Sequence, residues 1–361
     1  MSEHIVIVGG GIVGCMTAMA LVDAGHRVTI VERNQIASQT SGESSWAGGG
    51  IVFPLLPWMY SAPVNQLTSY GAKAYQQICQ RLECETGLPT GFITSGFLLL
   101  PPYDQKAAIN WCEDNQQAYE LLDQVDAQLA ANHAERSLWM PEVSQLRPPY
   151  LMKALRQWLE QHNVTLLEQT ELSPLDEIHT LNTWKTLEGF EIKADKFVVT
   201  SGAWSYQLLK SVAEKLNIKP MRGQILLYQP AKNLKQIVYK DGFYMIPRAD
   251  GQLLAGSTLE DVGFDTSVTE EVKVELAAKS EAIMPSLKDL PIIKHWSGLR
   301  PGTPGNLPTI SAHPQIQNLY LNTGHFRYGL TMAPASARLI LELIAGEEPF
   351  IDASPFALAI D

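Results

Sequence analysis

Cysteine is scarce in this chain: Cys15, Cys79, Cys84 and Cys112 are the only four in 361 residues, and all precede residue 113. Their number and irregular spacing exclude a disulfide scaffold, and none stand at the short fixed interval that a zinc site needs. No metal site is expected, and a reducing cytoplasm is the compartment that fits. Basic runs are absent too. With 27 Lys and Arg against 38 Asp and Glu, the formal net charge is -11. Nucleic-acid binding relies on clustered Lys and Arg to neutralise phosphates, so DNA and RNA are excluded as main partners. No stretch approaches the roughly 20 uninterrupted apolar residues of a transmembrane helix, and no basic leader precedes the apolar run at the N-terminus. No integral membrane segment, internal repeat or low-complexity tract is expected.

What is present is an ordinary globular composition. Hydrophobic residues make up 45% and charged residues 18%, values that exclude intrinsic disorder. At roughly 150 residues per domain the length suggests two domains, or one large fold with insertions.

Ile5-Val6-Ile7-Val8 predicts a buried strand, Ile12 to Ala24 a buried helix ending at Gly25, and Arg27 to Glu32 a second strand. Residues 38 to 50, rich in Ser and Gly, predict a long loop whose small side chains let backbone approach a ligand. Trp111, Leu121, Leu122, Val125 and Leu129 are spaced as on helices, so residues 104 to 132 are expected to form peripheral helices that open a second domain. Leu151 to Leu159 predicts an amphipathic helix, and Val164 to Leu167 and Lys196 to Thr200 predict strands. Antiparallel strands are expected over 224 to 258, with Tyr244-Met245-Ile246 and Leu253-Leu254-Ala255 joined across Asp250-Gly251. The chain closes with a strand at Leu319 to Leu321, a Gly-rich loop, and a helix from Pro334 to Ile344. Parallel units at both ends around a β-rich middle predict an α/β fold, α+β overall. A discontinuous Rossmann-like domain (1–84, 145–218 and 296–361) would hold an inserted β-rich domain (85–144 and 219–295).

Gly9, Gly11 and Gly14, with Ile12 and Val13 between them, form a GxGxxG between the first strand and the first helix. Glu32 ends the second strand, where a carboxylate can accept hydrogen bonds from a ribose. Gly9 permits the turn, Gly11 leaves room for a pyrophosphate, and Gly14 lets helix and strand pack closely, while the helix N-terminus offers free N–H groups to phosphates. This half-site takes the ADP of either NAD or FAD and leaves the two open.

Six further blocks bear on that choice: Ser44-Ser45-Trp46-Ala47-Gly48-Gly49-Gly50, Gly202-Ala203-Trp204, Arg222-Gly223-Gln224, Tyr244 with Pro247-Arg248, Gly298-Leu299-Arg300-Pro301, and Gly324-His325-Phe326-Arg327. In that order and spacing the chain resembles, over nearly its whole length, the FAD-dependent D-amino-acid oxidase family, and above all its thiamine-pathway glycine oxidase branch. The resemblance implies that FAD is held by Gly9, Gly11, Ile12, Val13, Gly14, Glu32 and Arg33, then by Ser44, Ser45, Ala47, Gly48 and Gly49, and later by Gly202, Trp204, Gly324, Phe326, Arg327, Gly329 and Leu330. Covalent links in the family use a cysteine in the C-terminal half or a histidine near the first loop. This chain has neither there, so the FAD is expected to be noncovalent.

The implied activity is oxidative deamination of glycine, sarcosine or D-alanine to the imine and 2-oxo acid. Oxygen would be the electron acceptor and hydrogen peroxide the product, and the imine would serve thiazole synthesis for thiamine. A quinone-reducing D-amino-acid dehydrogenase and a non-catalytic flavin-binding module are the alternatives. The homo-oligomeric state is left open. Hydride removal from the substrate's Cα needs that carbon held in line with the acceptor. A planar guanidinium fixes a carboxylate in both position and orientation, and Arg300 is the residue expected to do so, with Tyr244 as the second carboxylate contact. Arg327 is expected either to touch substrate or to brace its loop. His325 is weighed as a general base and favoured as a loop residue. Tyr328, standing where glycine oxidases often carry Asn, is placed at the border of the site. The helix from Pro334 is expected to point its N-terminal dipole at the flavin edge. Cys15 is expected to be a small packing residue.

Overall fold

The computed structural model describes residues 2–39, 42–130, 135–176, 178–229 and 234–359. Thr40 and Ser41 of the predicted 38–50 loop, and positions 131–132 of the predicted peripheral helices, lie outside the described residues.

The β-branched His4–Val8 strand is central to a six-stranded sheet, whose order is 309–312, 319–323, 196–199, 4–8, 27–31, 165–167. All pairings in it are parallel except that of Thr309–Ala312 with Leu319–Thr323. A parallel sheet covered on both faces needs strands that are apolar throughout, and Ile5, Val6 and Ile7 are fully buried. Ile5 and Ile7 join a core with the helices Ile12–Asp23, Ala62–Thr86, Pro148–Gln161 and Gly329–Ala345. Val6 and Val8 face the opposite core, built on Trp184, Phe197, Leu209 and Leu319. This is the two-residue alternation of a strand.

The second sheet has eight strands in the order 292–302, 219–228, 253–256, 243–247, 237–240, 97–99, 137–140, 120–122. Phe243–Pro247 pairs antiparallel with Leu253–Gly256, as the turn residues between them require. Ile292–Gly302 ties this sheet to the segment before the Ser44–Ala47 helix: Leu299 N–H donates to the Gly42 carbonyl at 2.8 Å, and Leu299 bridges Glu43.

Three expectations are corrected. In the segment 104–132, Asp104 caps a helix over Gln105–Asp114 by accepting from Ala107 N–H at 2.9 Å, but Glu120–Leu122 then pairs as an edge strand with Ser137–Met140. Leu121 and Leu122 pack into different cores on opposite sheet faces, so period-two packing overrides the apparent helical spacing. The 38–50 loop is interrupted by a short helix, Ser44–Ala47. The last helix begins at Gly329, five residues before Pro334. Pro334 cannot donate to the Leu330 carbonyl, and the Tyr75 hydroxyl does so instead at 2.6 Å, which lets the helix run on upstream. Among the described residues no helix is long and apolar enough to cross a membrane.

Candidate functional site

A cavity of about 650 Å³ lies where the carboxyl ends of the parallel strands, marked by Val8, Val31, Thr200 and Thr323, face the second sheet. Such crevices are where open α/β sheets bind ligands, and the volume is that of a cofactor site.

At one end Gly9, Gly11, Ile12 and Val13 line the wall. Gly14 does not; it packs behind them, where an added Cβ would stand 2.0 Å from the Gly9 carbonyl oxygen and 2.8 Å from Thr200 Oγ1. The Ile12 N–H at the helix start donates to Ser45 Oγ at 2.9 Å. The Glu32 carboxylate, also on the wall, accepts from the Gly10 N–H at 2.8 Å and the Asn34 N–H at 2.9 Å. Its burial outweighs these bonds and holds the carboxyl above its ordinary pKa. Arg33 lies 4.1 Å over the Trp204 ring, both residues lining the cavity.

In the middle, Ser44, Ser45, Gly48 and Gly49 line the wall, whereas Ala47 is buried behind it, its carbonyl accepting from the Trp296 indole at 3.2 Å. Arg248, given no role from sequence, braces this turn. It donates to the Gly49 carbonyl at 2.7 Å, the Leu146 carbonyl at 3.0 Å and Gln145 Oε1 at 2.9 Å. Burial lowers its pKa to about 10. Its place in a motif block was the only sequence signal for it.

At the other end, Arg300 is half-buried and reaches the cavity. It donates to Ser257 Oγ at 2.7 Å and the Thr258 carbonyl at 3.1 Å, and Tyr244 lies beside it. No carboxylate among the described residues forms an ion pair with Arg300. Burial pulls its pKa below the usual arginine value, with Tyr244 opposing that shift. A desolvated guanidinium held by neutral acceptors has unspent capacity for an anion. Arg327 lines the mouth and is exposed, its backbone N–H donating to Asn306 Oδ1 at 3.3 Å. Gly202, Phe326, Gly329 and Leu330 line the wall. Gly324 stands back from it, its carbonyl accepting from Thr303 Oγ1 at 2.9 Å. Tyr328 lines the cavity with its hydroxyl donating to the Leu55 carbonyl at 2.7 Å. Tyr239 and Asp241 also line it; nothing in their local sequence marks them, since only the strand pairing brings them there.

His325 is on the wall yet 2% exposed, its Nε2 2.9 Å from Ser336 Oγ. Burial lowers its pKa from 6.5 to about 3, so the ring is neutral at physiological pH. The unfolded chain therefore takes up a proton that the fold refuses. Stability from this group is whole above pH 6.5 and falls as pH drops toward about 3. Between pH 7 and 5, denaturant unfolding is expected to show wild type losing about 2 kcal/mol more than His325→Gln. Equal losses would remove the assignment.

Among the described residues no cluster of His, Cys, Asp or Glu could hold a metal ion. Cys15, Cys79 and Cys112 are buried, and desolvation pushes the first two thiols up to about 12 and the third to about 11. No cysteine lines the cavity.

A helix N-terminus, a half-buried carboxylate at the end of the second strand and a lined cavity that reaches the Arg300 guanidinium fit a long dinucleotide. The comparisons agree. The family of FAD dependent oxidoreductases matches residues 4–343. A glycine oxidase of Pseudomonas aeruginosa is 41% identical over 366 residues, covering 99% of this chain and 99% of its own. A bifunctional ThiO/ThiG protein of Nostoc is 29% identical, covering 96% of this chain and 53% of its own. The solved glycine oxidase of Geobacillus kaustophilus matches with a TM-score of 0.88 at 25% identity, over 100% of this chain and 99% of that one. This protein belongs to the family of FAD-dependent oxidoreductases, and FAD is its cofactor.

Proposed function

We propose that this protein oxidises glycine, or an amino acid scarcely larger such as sarcosine or D-alanine, to its imine, with oxygen as electron acceptor and hydrogen peroxide as product. The observation that carries this reading is Arg300, a cavity guanidinium with no carboxylate partner among the described residues and with Tyr244 beside it. Bound FAD supplies the acceptor for the hydride leaving Cα. Arg300 and Tyr244 grip the substrate carboxylate and so fix where Cα sits, which is the main demand of the reaction. Tyr239, Tyr244 and Tyr328 line the same cavity beside Arg300 and Arg327 and give the substrate end an aromatic wall. His325 is engaged with Ser336 and resists protonation, so the amine loses its proton to solvent. Water then hydrolyses the imine to the 2-oxo acid and ammonium. We further propose that the imine feeds thiazole synthesis for thiamine, as the relatives named glycine oxidase and ThiO/ThiG support, and that the protein works in the cytoplasm, where its free thiols stay reduced. The domain division 1–84, 145–218 and 296–361 against 85–144 and 219–295 is likewise proposed, with the Ile292–Gly302 strand crossing the last boundary.

Anaerobic mixing with glycine, sarcosine, D-alanine and D-proline in turn tests the substrate class. Bleaching of the flavin by glycine or sarcosine supports it, and bleaching by none of the four removes it. The absence of cysteine from the wall supports noncovalent FAD. Acid precipitation is expected to release all the yellow colour into the supernatant; colour retained on the pellet shows a covalent link.

A further inference from the structure

The Arg222-Gly223-Gln224 block does not line the cavity, yet each of its residues converges on Arg300. The Lys219–Tyr228 strand runs antiparallel to Ile292–Gly302, with Gly223 opposite Gly298 and Met221 opposite Arg300. The guanidinium lies across Gly223, where an added Cβ would stand 2.2 to 2.4 Å from its Nη1, Nη2 and Cζ atoms. Only hydrogen at this position leaves the plane of the fork its present place.

The neighbours of Gly223 act on the segment that holds the fork's nitrogens. Arg222, 4% exposed, bridges Glu260 through paired backbone bonds of 2.9 Å and donates from Nη2 to Glu260 Oε2 at 2.7 Å. Its Nη1 donates to Asp265 Oδ2 at 2.6 Å. Gln224, fully buried, donates from Nε2 to Glu260 Oε1 at 3.1 Å and from its backbone N–H to Thr258 Oγ1 at 2.8 Å. Thr258 in turn donates from Oγ1 to Glu260 Oε1 at 2.5 Å. The Thr258 carbonyl is the acceptor of Arg300 Nη1, and the adjacent Ser257 hydroxyl that of Nη2. A fixed carboxylate therefore stands two residues behind the acceptors that aim the guanidinium, held by two buried side chains of one block.

We propose that Arg222, Gly223 and Gln224, acting through Glu260 and Thr258, are the positioning residues that set the Arg300 fork for a substrate carboxylate. This rests on the reading of Arg300 as the carboxylate anchor. Misplacing the fork weakens everything that carries a carboxylate and, because the fork also sets where Cα sits, slows the bound substrate to a lesser degree, while FAD binding is untouched.

The test uses the FAD-loaded protein, with acetate binding read from the perturbed flavin absorbance and glycine turnover read as separate KM and kcat. Thr258→Val is expected to raise the acetate Kd and the glycine KM about tenfold, with a smaller fall in kcat of about threefold and full FAD content. Thr258→Ser, which keeps the hydroxyl, is expected to restore both values, a rescue that a merely structural role for this position would not require. Gly223→Ala is expected to raise both about a hundredfold; if it does not fold, the Thr258 pair decides alone. Wild-type acetate binding in Thr258→Val, or equal weakening in Thr258→Val and Thr258→Ser, overturns the proposal. Arg300→Ala run in parallel separates the two readings. Loss of acetate binding there alone leaves the anchor standing and removes the positioning block, whereas wild-type binding in Arg300→Ala removes the anchor.

Discussion

Arg300→Ala is expected to cut kcat/KM for glycine roughly a thousandfold, about 4 kcal/mol of transition-state stabilisation, while FAD stays bound. The size follows from what the side chain offers. Its guanidinium sits on neutral acceptors, Ser257 Oγ and the Thr258 carbonyl, so a carboxylate arriving in the cavity meets a desolvated, unpaired cation. Truncation leaves that carboxylate buried without its partner, the costly half of a broken ion pair. Arg300→Lys restores charge but only as a point donor without the planar fork, and its kcat/KM is expected to fall between alanine and wild type. Thermal stability is expected to hold in both, because no protein carboxylate is orphaned. Steady-state kinetics with glycine, beside flavin content, checks all of this. Undiminished glycine turnover in Arg300→Ala would remove the anchor.

Gly14→Ala is expected to yield a protein that binds FAD about a hundredfold more weakly and is destabilised by about 3 kcal/mol. The added methyl meets the Gly9 carbonyl oxygen at 2.0 Å, and backbone cannot swing aside as a flexible side chain can. Relief must come from moving the Gly9–Gly11 turn, which forms the cavity wall, or from shifting the Ile12–Asp23 helix off the sheet. Gly11→Ala is the contrast. Its methyl would meet only Ser45 Oγ, at 3.1 Å, so melting temperature is expected to stay near wild type while FAD affinity drops. Flavin fluorescence titration of the apoprotein and thermal melts distinguish the two. Matching losses of stability in both variants would show that close packing behind the turn is not what Gly14 provides.

The dinucleotide end was legible because its signals are local. A β-branched strand, three glycines, a helix and a terminal carboxylate lie within the first 32 residues, and each acts within a few residues of its position. Five strands of the first sheet followed from the same grammar of apolar strands and intervening helices, whereas the antiparallel edge strand Thr309–Ala312 did not. Misread segments are those whose state is set by distant partners. Leu121 and Leu122 look helical until the Ser137–Met140 strand claims them. Pro334 looks like a helix start until Tyr75 satisfies the carbonyl it leaves free. At the site, Arg300 and Tyr244 were found through a motif, whereas Tyr239 and Asp241 reach the wall only through strand pairing and carry no mark in sequence. Arg248 sat in view within a block, but its task, holding the Gly49 carbonyl, becomes visible only when residues 199 positions apart are brought together.

The strand Leu319–Thr323 lies beside Lys196–Val199 near the middle of the first sheet, and the Asn322 amide donates to Thr17 Oγ1 across 305 positions at 3.1 Å. During synthesis on the ribosome, the opening strands must therefore wait with one ladder unfilled until residues 319–323 have emerged. Such long-separated parallel pairing forms slowly. A nascent or prematurely terminated chain ending before residue 319 would present the bare backbone of 196–199 to its neighbours, which makes translational pausing and nonsense truncation occasions for aggregation.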